Sequence, residues 1–535
     1  MAEPTANDVF ARAERDAEAG DWNVARAGFL RVLALDPAHG EAMLQLSYAD
    51  SLDGRYRDAR EWALRAAAAR LPRRPEAMLE MVRRLRTFNE ARALGGYASA
   101  LLEDPHAPPA VLVEAARQSS NLNDFPVALR CAEAALRKAP GDPAANLVHA
   151  QLLAHYGRID EAADAIERVL QRNPRIAIGW WMLSRLRKQA PGANHVPQLR
   201  ALLRTPGLPA ADVAALARAL HKELDDLGDH EGAWQALEAM CRARRGSLRY
   251  DPRESRALVD DLIAWNTGGA TPGDAGNAGF ASSRRTPIFI VGMHRSGTTL
   301  LEQLLDASPQ VRGVGELNDF PAAMRFATDH GCRGAIDRTI VARARGIDFA
   351  EAGRRYLDGI EWRLGDEAFF SDKQPANFLN AGFVCRALPG ARILHLVRDP
   401  AETCFSNLRE LFSGINEHSY DQLELADYFL QYRRLMAHWH ATFPGRILDV
   451  PYAGLTGDTE ATMRAVAAFC GIDYVPEMRD PRSSRRAVST ASGVQVREAV
   501  VRRERPKWAP YAAHLQPLLR ALAEGGAEVA GASPG

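Results

Sequence analysis

Residues 287–305 read PIFIVGMHRSGTTLLEQLL, an apolar strand followed by a glycine-framed loop and a helix that opens with two threonines. Glycines let the backbone curl so that successive N–H groups face one anion, and a helix N-terminus adds positive potential. Arg295 adds a planar charge that suits a phosphate or sulfate group. The segment therefore predicts an anion-binding loop after the first strand of an α/β domain.

Further apolar or β-branched runs predict the rest of a sheet. They are AFFSDK at 368–373, ARILHLV at 391–397 and RILDVPY at 446–452. Amphipathic stretches that predict helices separate them, at 298–307, 402–412 and 458–470. Buried strands that alternate with helices indicate a parallel sheet, and function in such sheets lies at the carboxyl ends of the strands.

The spacing of the loop mimics the GxxxxGK[ST] motif of nucleotide triphosphatases, but Thr298 stands where that motif has its lysine. This substitution weakens a kinase or NTPase interpretation.

A second segment, RILHLVRDPAETCFSNLRELF at 392–412, ends a strand with Arg398 and carries Ser406 eight residues later. Eight residues are about two helical turns, so both side chains can face one pocket and hold a second phosphate. The alternative is an ion pair of Arg398 with Asp399 or another neighbour.

The first half of the chain is repetitive. Small or apolar residues recur at offsets 0, 4 and 7, with a proline twelve or thirteen residues after the first position. The offsets place the small residues on one helical face, and the proline ends the helix. A divergent sixth copy has Ala233, Leu237 and Met240. An alanine-rich bundle with accidental spacing is the alternative. The five first positions, spaced 34, 34, 35 and 34 residues apart, are Ala25, Ala59, Ala93, Ala128 and Ala162, and the prolines are Pro37, Pro72, Pro105, Pro140 and Pro174.

Composition limits the class of protein. Lysine plus arginine and aspartate plus glutamate both number 67, which argues against a nucleic-acid partner for the whole chain. Six dispersed cysteines without CxxC spacing fit a reducing compartment, and the N-terminus has no signal-peptide pattern, so we expect a cytoplasmic protein without a membrane span. Residues 267–285 are rich in glycine, alanine and serine, as flexible linkers are. The predicted organisation is a repeat solenoid at 1–245, a linker region at 246–285, a catalytic domain at 286–522 and a disordered tail at 523–535.

GMHRSGTT resembles the 5′-phosphosulfate loop of sulfotransferases, and RDPAETCFS resembles their 3′-phosphate segment. GDWNVARAGFLRVLALDP and GRIDEAADAIERVLQRNP resemble tetratricopeptide repeats. Together these stretches resemble bacterial tetratricopeptide-repeat sulfotransferases, whose catalytic part resembles tyrosylprotein sulfotransferase. The resemblance implies a multidomain fold: an N-terminal all-α tetratricopeptide solenoid followed by an α/β P-loop-like sulfotransferase domain with a parallel sheet.

The resemblance also implies the site. The donor would be 3′-phosphoadenosine 5′-phosphosulfate, the product adenosine 3′,5′-bisphosphate, and no metal would take part. The implied donor-binding residues are Arg295, Ser296, Gly297, Thr298 and Thr299 for the 5′-phosphosulfate, Arg398 and Ser406 for the 3′-phosphate, and Tyr452, Ser492 and Lys507 elsewhere on the donor. The implied catalytic residues are Arg295, Lys373, Ser492 and Glu316.

Glu316 matches the glutamate implied as the base that takes the acceptor's proton, since a partly buried carboxylate can accept one. It could instead be a helix cap or a salt-bridge partner. His294 is the competing base, and His395 is expected to be structural. The approach to Lys507 departs from the family pattern at Ser489 and in the basic stretch 497–505, which puts the roles of these late residues in question.

The predicted function is sulfuryl transfer to an acceptor hydroxyl, with protein tyrosine as the first candidate. The repeats would recruit the acceptor protein, an acceptor peptide or a protein partner in their groove. The first alternative is an interaction scaffold with an inactive nucleotide-binding domain, and the second is a P-loop kinase or NTPase. The two halves are expected to separate at residue 245, with nucleotide binding retained by the second.

Overall fold

The computed structural model describes residues 4–69, 74–267, 285–414, 416–483 and 505–528. They fall into two compact units. The first comprises Met1–Leu152, Asn318–Cys332 and Gly346–Asp348, and the second comprises Leu153–Leu317, Arg333–Arg345 and Phe349–Gly535. None of the described helices has the length and apolar composition that crossing a bilayer requires.

Fifteen helices in the described residues precede the first strand. They are α1 Ala6–Glu18, α2 Trp22–Leu35, α3 Gly40–Leu52, α4 Tyr56–Ala68, α5 Pro75–Thr87, α6 Ala91–Glu103, α7 Pro109–Asn121, α8 Phe125–Lys138, α9 Pro143–His155, α10 Ile159–Arg172, α11 Ala177–Ser184, α12 Val196–Leu203, α13 Ala210–Asp226, α14 His230–Gly246 and α15 Pro252–Thr267.

The predicted repeat positions are buried in four of the five copies, on α2, α4, α8 and α10. The third copy, predicted as Ala93, Tyr97 and Ala100, is one residue out of register at its two ends. Leu94, Ala98 and Leu101 are buried, as is Tyr97, whereas Ala93 and Ala100 are only partly buried. The larger apolar surface of the two leucines favours this face. The described helices end two residues before Pro37, Pro105, Pro140 and Pro174, while Pro72 lies outside the described residues.

The α/β part contains five described strands, all paired in parallel in the order β2-β3-β1-β4-β5. The strands are β1 Thr286–Gly292, β2 Val311–Gly315, β3 Phe369–Asp372, β4 Arg392–Val397 and β5 Ile447–Pro451. The four runs predicted as strands all form strands, whereas β2 was not predicted. Ile288 and Ile290 pack on one face with α16 and α24, and Phe289 faces Tyr356 on the other, at 5.4 Å between ring centroids.

Ten described helices follow the first strand along the chain. They are α16 Thr298–Asp306, α17 Asp319–Thr328, α18 Arg338–Arg343, α19 Phe349–Ile360, α20 Ala381–Ala387, α21 Pro400–Leu408, α22 Gln422–Thr442, α23 Tyr452–Gly457, α24 Thr459–Cys470 and α25 Gln516–Glu524. Within the first unit, α17 packs on α4: Asp329 accepts a hydrogen bond from the Arg57 N–H at 2.8 Å.

The last repeat-like pair, α13 and α14, packs against elements of the α/β part within the second unit. Arg409 donates to Asp225 at 2.7 Å, Arg245 donates twice to Glu424 at 2.8 and 2.7 Å, and the Cys241 thiol contacts the Leu408 carbonyl at 3.7 Å. A cut at residue 245 would expose this packed surface.

Two other segments differ from the sequence-based expectation. Part of the predicted linker region 246–285 is α15, which packs on α22, because Val259, Leu262 and Trp265 give it a buried face. The predicted tail begins inside α25, and Ala527 is buried; residues 529–535 lie outside the described residues. The remainder of the predicted linker, 268–284, also lies outside them.

Candidate functional site

The carboxyl ends of the five strands carry the candidate side chains. β1 leads into the glycine-framed loop at Gly292, β2 is followed by Glu316, β3 by Lys373, β4 by Arg398 and β5 by Tyr452. Because the strands are parallel, all five ends lie at the same edge of the sheet. One edge therefore presents a possible anion loop, two cations, a carboxylate and an aromatic ring.

The loop between β1 and α16 has the backbone of an anion cradle. Arg295 and Gly297 have φ angles of 66° and 111°, in the left-handed region. A Cβ on Gly297 would lie 2.5 Å from the Tyr452 ring, so the close approach of that ring requires glycine. Ser296, Thr298 and Thr299 are buried, and the Ser296 hydroxyl has no hydrogen-bond partner among the described residues. Such an orphaned hydroxyl beside a helix N-terminus fits a bound phosphate or sulfate oxygen.

The two predicted anion segments are in contact. Arg295 Nε donates to Ser406 Oγ at 3.3 Å, and Arg398 Nη1 donates to the Arg295 carbonyl at 3.1 Å. The Arg398 guanidinium also lies over the Tyr452 ring, 4.5 Å from its centroid. Burial lowers the pKa of Arg295, and the neighbouring Arg398 acts in the same direction. The structure thus brings together four residues that the sequence assigns to one donor.

Glu402 is a site residue that the sequence reasoning did not single out. Its Oε2 accepts from Arg398 Nη2 at 2.6 Å, and its Oε1 accepts from the Lys507 backbone N–H at 2.5 Å. The ion-pair alternative for Arg398 is therefore present in the structure, with Glu402 as the partner. Asp399 caps α21 by accepting from the Glu402 N–H at 2.8 Å. The spacing of four between Arg398 and Glu402 on a helical turn was the available signal.

Glu316 and Lys373 form an ion pair at the ends of β2 and β3. The Lys373 side chain is fully buried, whereas that of Glu316 is 33% exposed, so the pair has one face open. The backbone sets its position: Lys373 N–H donates to the Gly315 carbonyl at 3.0 Å, and Gly315 N–H donates to Glu302 at 2.9 Å. The salt-bridge alternative for Glu316 is therefore present in the structure, and it places the proposed base against the proposed catalytic lysine.

His294 lies in the loop, and its surroundings keep it neutral. Burial lowers its pKa to about 4, although the nearby Glu316 carboxylate acts in the opposite direction. Its carbonyl accepts from Asn407 Nδ2 at 2.6 Å, and its ring packs edge-on against Phe412. Ser492 lies outside the described residues, as do Ser489 and all of the stretch 497–504.

One group in the described residues has the composition of a metal site. His395 Nδ1 and His440 Nε2 each lie 2.7 Å from the same Asp449 oxygen, and the second ring nitrogen of His395 is hydrogen-bonded to Tyr432. The imidazoles lower the pKa of Asp449, against the effect of its burial. His395 is thus part of a hydrogen-bonded group between β4, β5 and α22. That the reaction needs no metal stays a prediction.

Comparison with known proteins identifies the domain. Residues 287–476 match the sulfotransferase family. These residues form a sulfotransferase-family domain. A chicken protein named protein-tyrosine sulfotransferase 2 is 25% identical to the chain over 225 residues, which are 38% of this chain and 55% of that protein.

One relative matches both the sulfotransferase-family domain and part of the helical region before it. An uncharacterized protein of Aquifex aeolicus is 28% identical over 393 residues, 71% of this chain and 50% of that protein. The chain spans about half the length of these two curated relatives, 50% and 55%. Among solved structures, the sulfotransferase domain from the curacin biosynthetic pathway matches with a TM-score of 0.30 and 14% identity, over 46% of this chain and 99% of that one.

Proposed function

We propose that the chain transfers a sulfuryl group from 3′-phosphoadenosine 5′-phosphosulfate to an acceptor hydroxyl. The observation that carries the proposal is the contact between the two anion segments, Arg295 Nε to Ser406 Oγ at 3.3 Å. A donor with phosphate groups at the 3′ and 5′ positions of one ribose needs two adjacent anion sites, and the contact between these segments supports such a pair of sites.

The donor residues have separate tasks in this proposal. The loop 295–299 binds the 5′-phosphosulfate through backbone N–H groups, the Arg295 guanidinium and the orphaned Ser296 hydroxyl. Arg398 and Ser406 bind the 3′-phosphate, and Tyr452 holds Arg398 in place through its ring. Lys507 and Ser492 complete the donor contacts.

The reaction itself uses the ion pair of Glu316 and Lys373, which directly follow β2 and β3. The acceptor oxygen attacks sulfur, the bond from sulfur to the 5′-phosphate oxygen breaks, and Glu316 takes the hydroxyl proton. Lys373 and Arg295 stabilise the charge that develops on the leaving phosphate and the transferring group, with assistance from Ser492. The products are a sulfate ester and adenosine 3′,5′-bisphosphate.

The acceptor in this proposal is a protein or peptide tyrosine, on the strength of the similarity to the chicken protein named a protein-tyrosine sulfotransferase. The helical repeats recruit the acceptor or a partner protein, because stacked helix pairs present a concave surface.

Calorimetry on the full chain tests the donor site. We expect adenosine 3′,5′-bisphosphate to bind without magnesium, and Arg295→Ala and Arg398→Ala each to weaken binding by about 1.5–3 kcal/mol, the scale of hydrogen bonds to charged groups. Arg168→Ala, at an exposed position of α10, is the control. Magnesium-dependent binding of ATP in place of the bisphosphate would favour an NTPase, and unchanged affinity in both variants would contradict the site.

Mass spectrometry for an 80-dalton gain on host proteins, about the mass of SO3, tests the acceptor class.

A further inference from the structure

Arg218 on α13 is a buried cation with unused donors. It is 7% exposed, and its Nε and Nη1 have no hydrogen-bond acceptor among the described residues. Buried polar groups are normally hydrogen-bonded, and a buried charge without a partner is costly. Burial lowers the pKa of Arg218 to about 10, which the Glu410 carboxylate opposes only in part. Two donors of Arg218 therefore remain without an acceptor among the described residues.

The face of α13 that carries Arg218 points toward α21. Arg218, His221 and Asp225 are spaced three and four residues apart, so they share one helical face. Asp225 accepts from Arg409 Nη2 at 2.7 Å and from the Tyr511 hydroxyl at 2.5 Å. The Tyr511 ring lies 5.0 Å from that of Phe405, the residue before Ser406. The repeat-like helix thus reaches the segment that carries the proposed 3′-phosphate contacts.

Arg218 and Arg295 act on the same buried carboxylate. Glu410, four residues after Ser406, is 5% exposed, and burial alone would raise its pKa. Arg185, Arg295, Arg218 and Arg409 together lower the pKa of Glu410 instead. One of these four arginines, Arg295, also donates to Ser406. Four guanidinium groups thus face two carboxylates, Glu410 and Asp225, and the net positive charge that remains favours an added anion.

We propose that Arg218 binds the 3′-phosphate of the donor, as a third contact beside Arg398 and Ser406. This assignment rests on the proposed function. A phosphate monoester carries about −1.5 to −2 charge near neutral pH and offers three acceptor oxygens, so it can satisfy the orphaned donors of Arg218. The helical array then supplies part of the nucleotide site, in addition to any part in recruiting the acceptor.

Two nucleotides that differ in the 3′-phosphate test this role. We would titrate the full chain and its Arg218→Met variant with adenosine 3′,5′-bisphosphate and with adenosine 5′-phosphosulfate, which lacks the 3′-phosphate. The variant should bind the bisphosphate at least about tenfold more weakly, the loss of a charged hydrogen bond, yet bind the phosphosulfate as the natural chain does. Arg242→Met, at an exposed position of α14, should bind both normally.

Thermal unfolding separates a binding role from a structural one. Removing a buried charge without a partner should leave the melting temperature of the nucleotide-free protein unchanged or raise it, while reducing the increase produced by the bisphosphate. If Arg218→Met does not fold, Arg218→Lys keeps the charge and should bind the bisphosphate with intermediate affinity.

The outcomes are distinct. A natural chain that does not bind the bisphosphate contradicts the proposed function itself. A natural chain that binds it, with Arg218→Met or Arg218→Lys binding equally well, overturns only the role of Arg218. Equal losses for both nucleotides also overturn that role, because the effect would not depend on the 3′-phosphate.

Discussion

Glu316 combines exposure with a fixed partner. Its side chain is 33% exposed and paired with the buried Lys373, so an acceptor can approach the exposed part of the carboxylate. Both residues directly follow strands, and their backbones are joined through Gly315. This rigidity suits a base that must meet the acceptor proton at one place in the site.

Glu316→Gln should keep nucleotide affinity within about twofold while turnover falls about 100-fold or more, since positioned general bases contribute about 10²–10⁴. Calorimetry with adenosine 3′,5′-bisphosphate and transfer of labelled sulfate from the donor would measure the two quantities. Glu351→Gln, at an exposed position of α19 where Glu351 pairs with Arg354, is the matched control. A fully active Glu316→Gln variant would assign the base to another residue.

His294 predicts a pH effect on stability. Its pKa falls from about 6.5 in the unfolded chain to about 4 in the fold, because of burial. The unfolded chain therefore takes up the proton first, and the free energy of unfolding should decrease as the pH falls from 6.5 toward 4. Urea unfolding across this range should show a weaker pH dependence in His294→Gln. An identical dependence in both proteins would contradict a buried, neutral His294.

At the scale of elements, the loop before α16 and the start of α23 depend on each other. Gly297 has a φ of 111°, and the Tyr452 ring occupies the space that a side chain would need. Tyr452 in turn lies under Arg398 at the end of β4. The three strand ends β1, β4 and β5 are thereby connected through one aromatic ring.

Gly297→Ala should lower both the melting temperature and the affinity for adenosine 3′,5′-bisphosphate. The left-handed backbone costs a non-glycine residue about 1–2 kcal/mol, and the new methyl group would displace the Tyr452 ring. Gly246→Ala is the control, because nothing lies within 4 Å of its Cβ position and it ends a regular helix. Normal stability and affinity in Gly297→Ala would contradict the contact.

The strands that the sequence predicted are those with continuous apolar runs. β1, β3, β4 and β5 have such runs, but β2 has the sequence VRGVG, in which an arginine and two glycines interrupt the pattern. The repeat face containing Leu94 was placed one residue early because Ala93 fits the small-residue spacing equally well. The missed strand β2 and the shifted register of the third repeat both depend on tertiary packing, which the sequence pattern does not specify.

The proximity of the candidate residues was predictable where each lies close in sequence to a strand end. Arg295, Arg398 and Tyr452 are in contact, at 3.1 and 4.5 Å, and their roles toward a donor stay a prediction. Arg218 could not be found in this way, since it lies in a helical repeat far upstream and its burial arises from tertiary packing. The spacing of four residues between Arg398 and Glu402 permits an ion pair, but the structure was needed to show that this pair forms.

At the scale of the whole molecule, α13 and α14 share a packed surface with the sulfotransferase-family domain inside the second unit. Asp225, Cys241 and Arg245 all contact residues between 408 and 424 within one compact unit. The expectation that a cut at residue 245 leaves an intact nucleotide site therefore has a physical objection, because it removes α13 and α14 from that surface.

A chain that begins at residue 246 should lose binding of adenosine 3′,5′-bisphosphate, whereas a chain that begins at residue 153 should retain it. The longer fragment keeps α13, α14 and the contact of Arg409 with Asp225. Calorimetry on both fragments, with circular dichroism to verify folding, would measure the difference. Full binding by a folded shorter fragment would show that the repeats contribute nothing to the nucleotide site.

The Tyr452 ring against Gly297 also constrains how this protein can diverge. A bulkier residue at 297 becomes tolerable only after position 452 has lost its ring, and that loss removes the support beneath Arg398. Among related sequences, the two positions should consequently vary as a pair, and a homologue with a small residue at 452 should carry another means of restraining the arginine at 398.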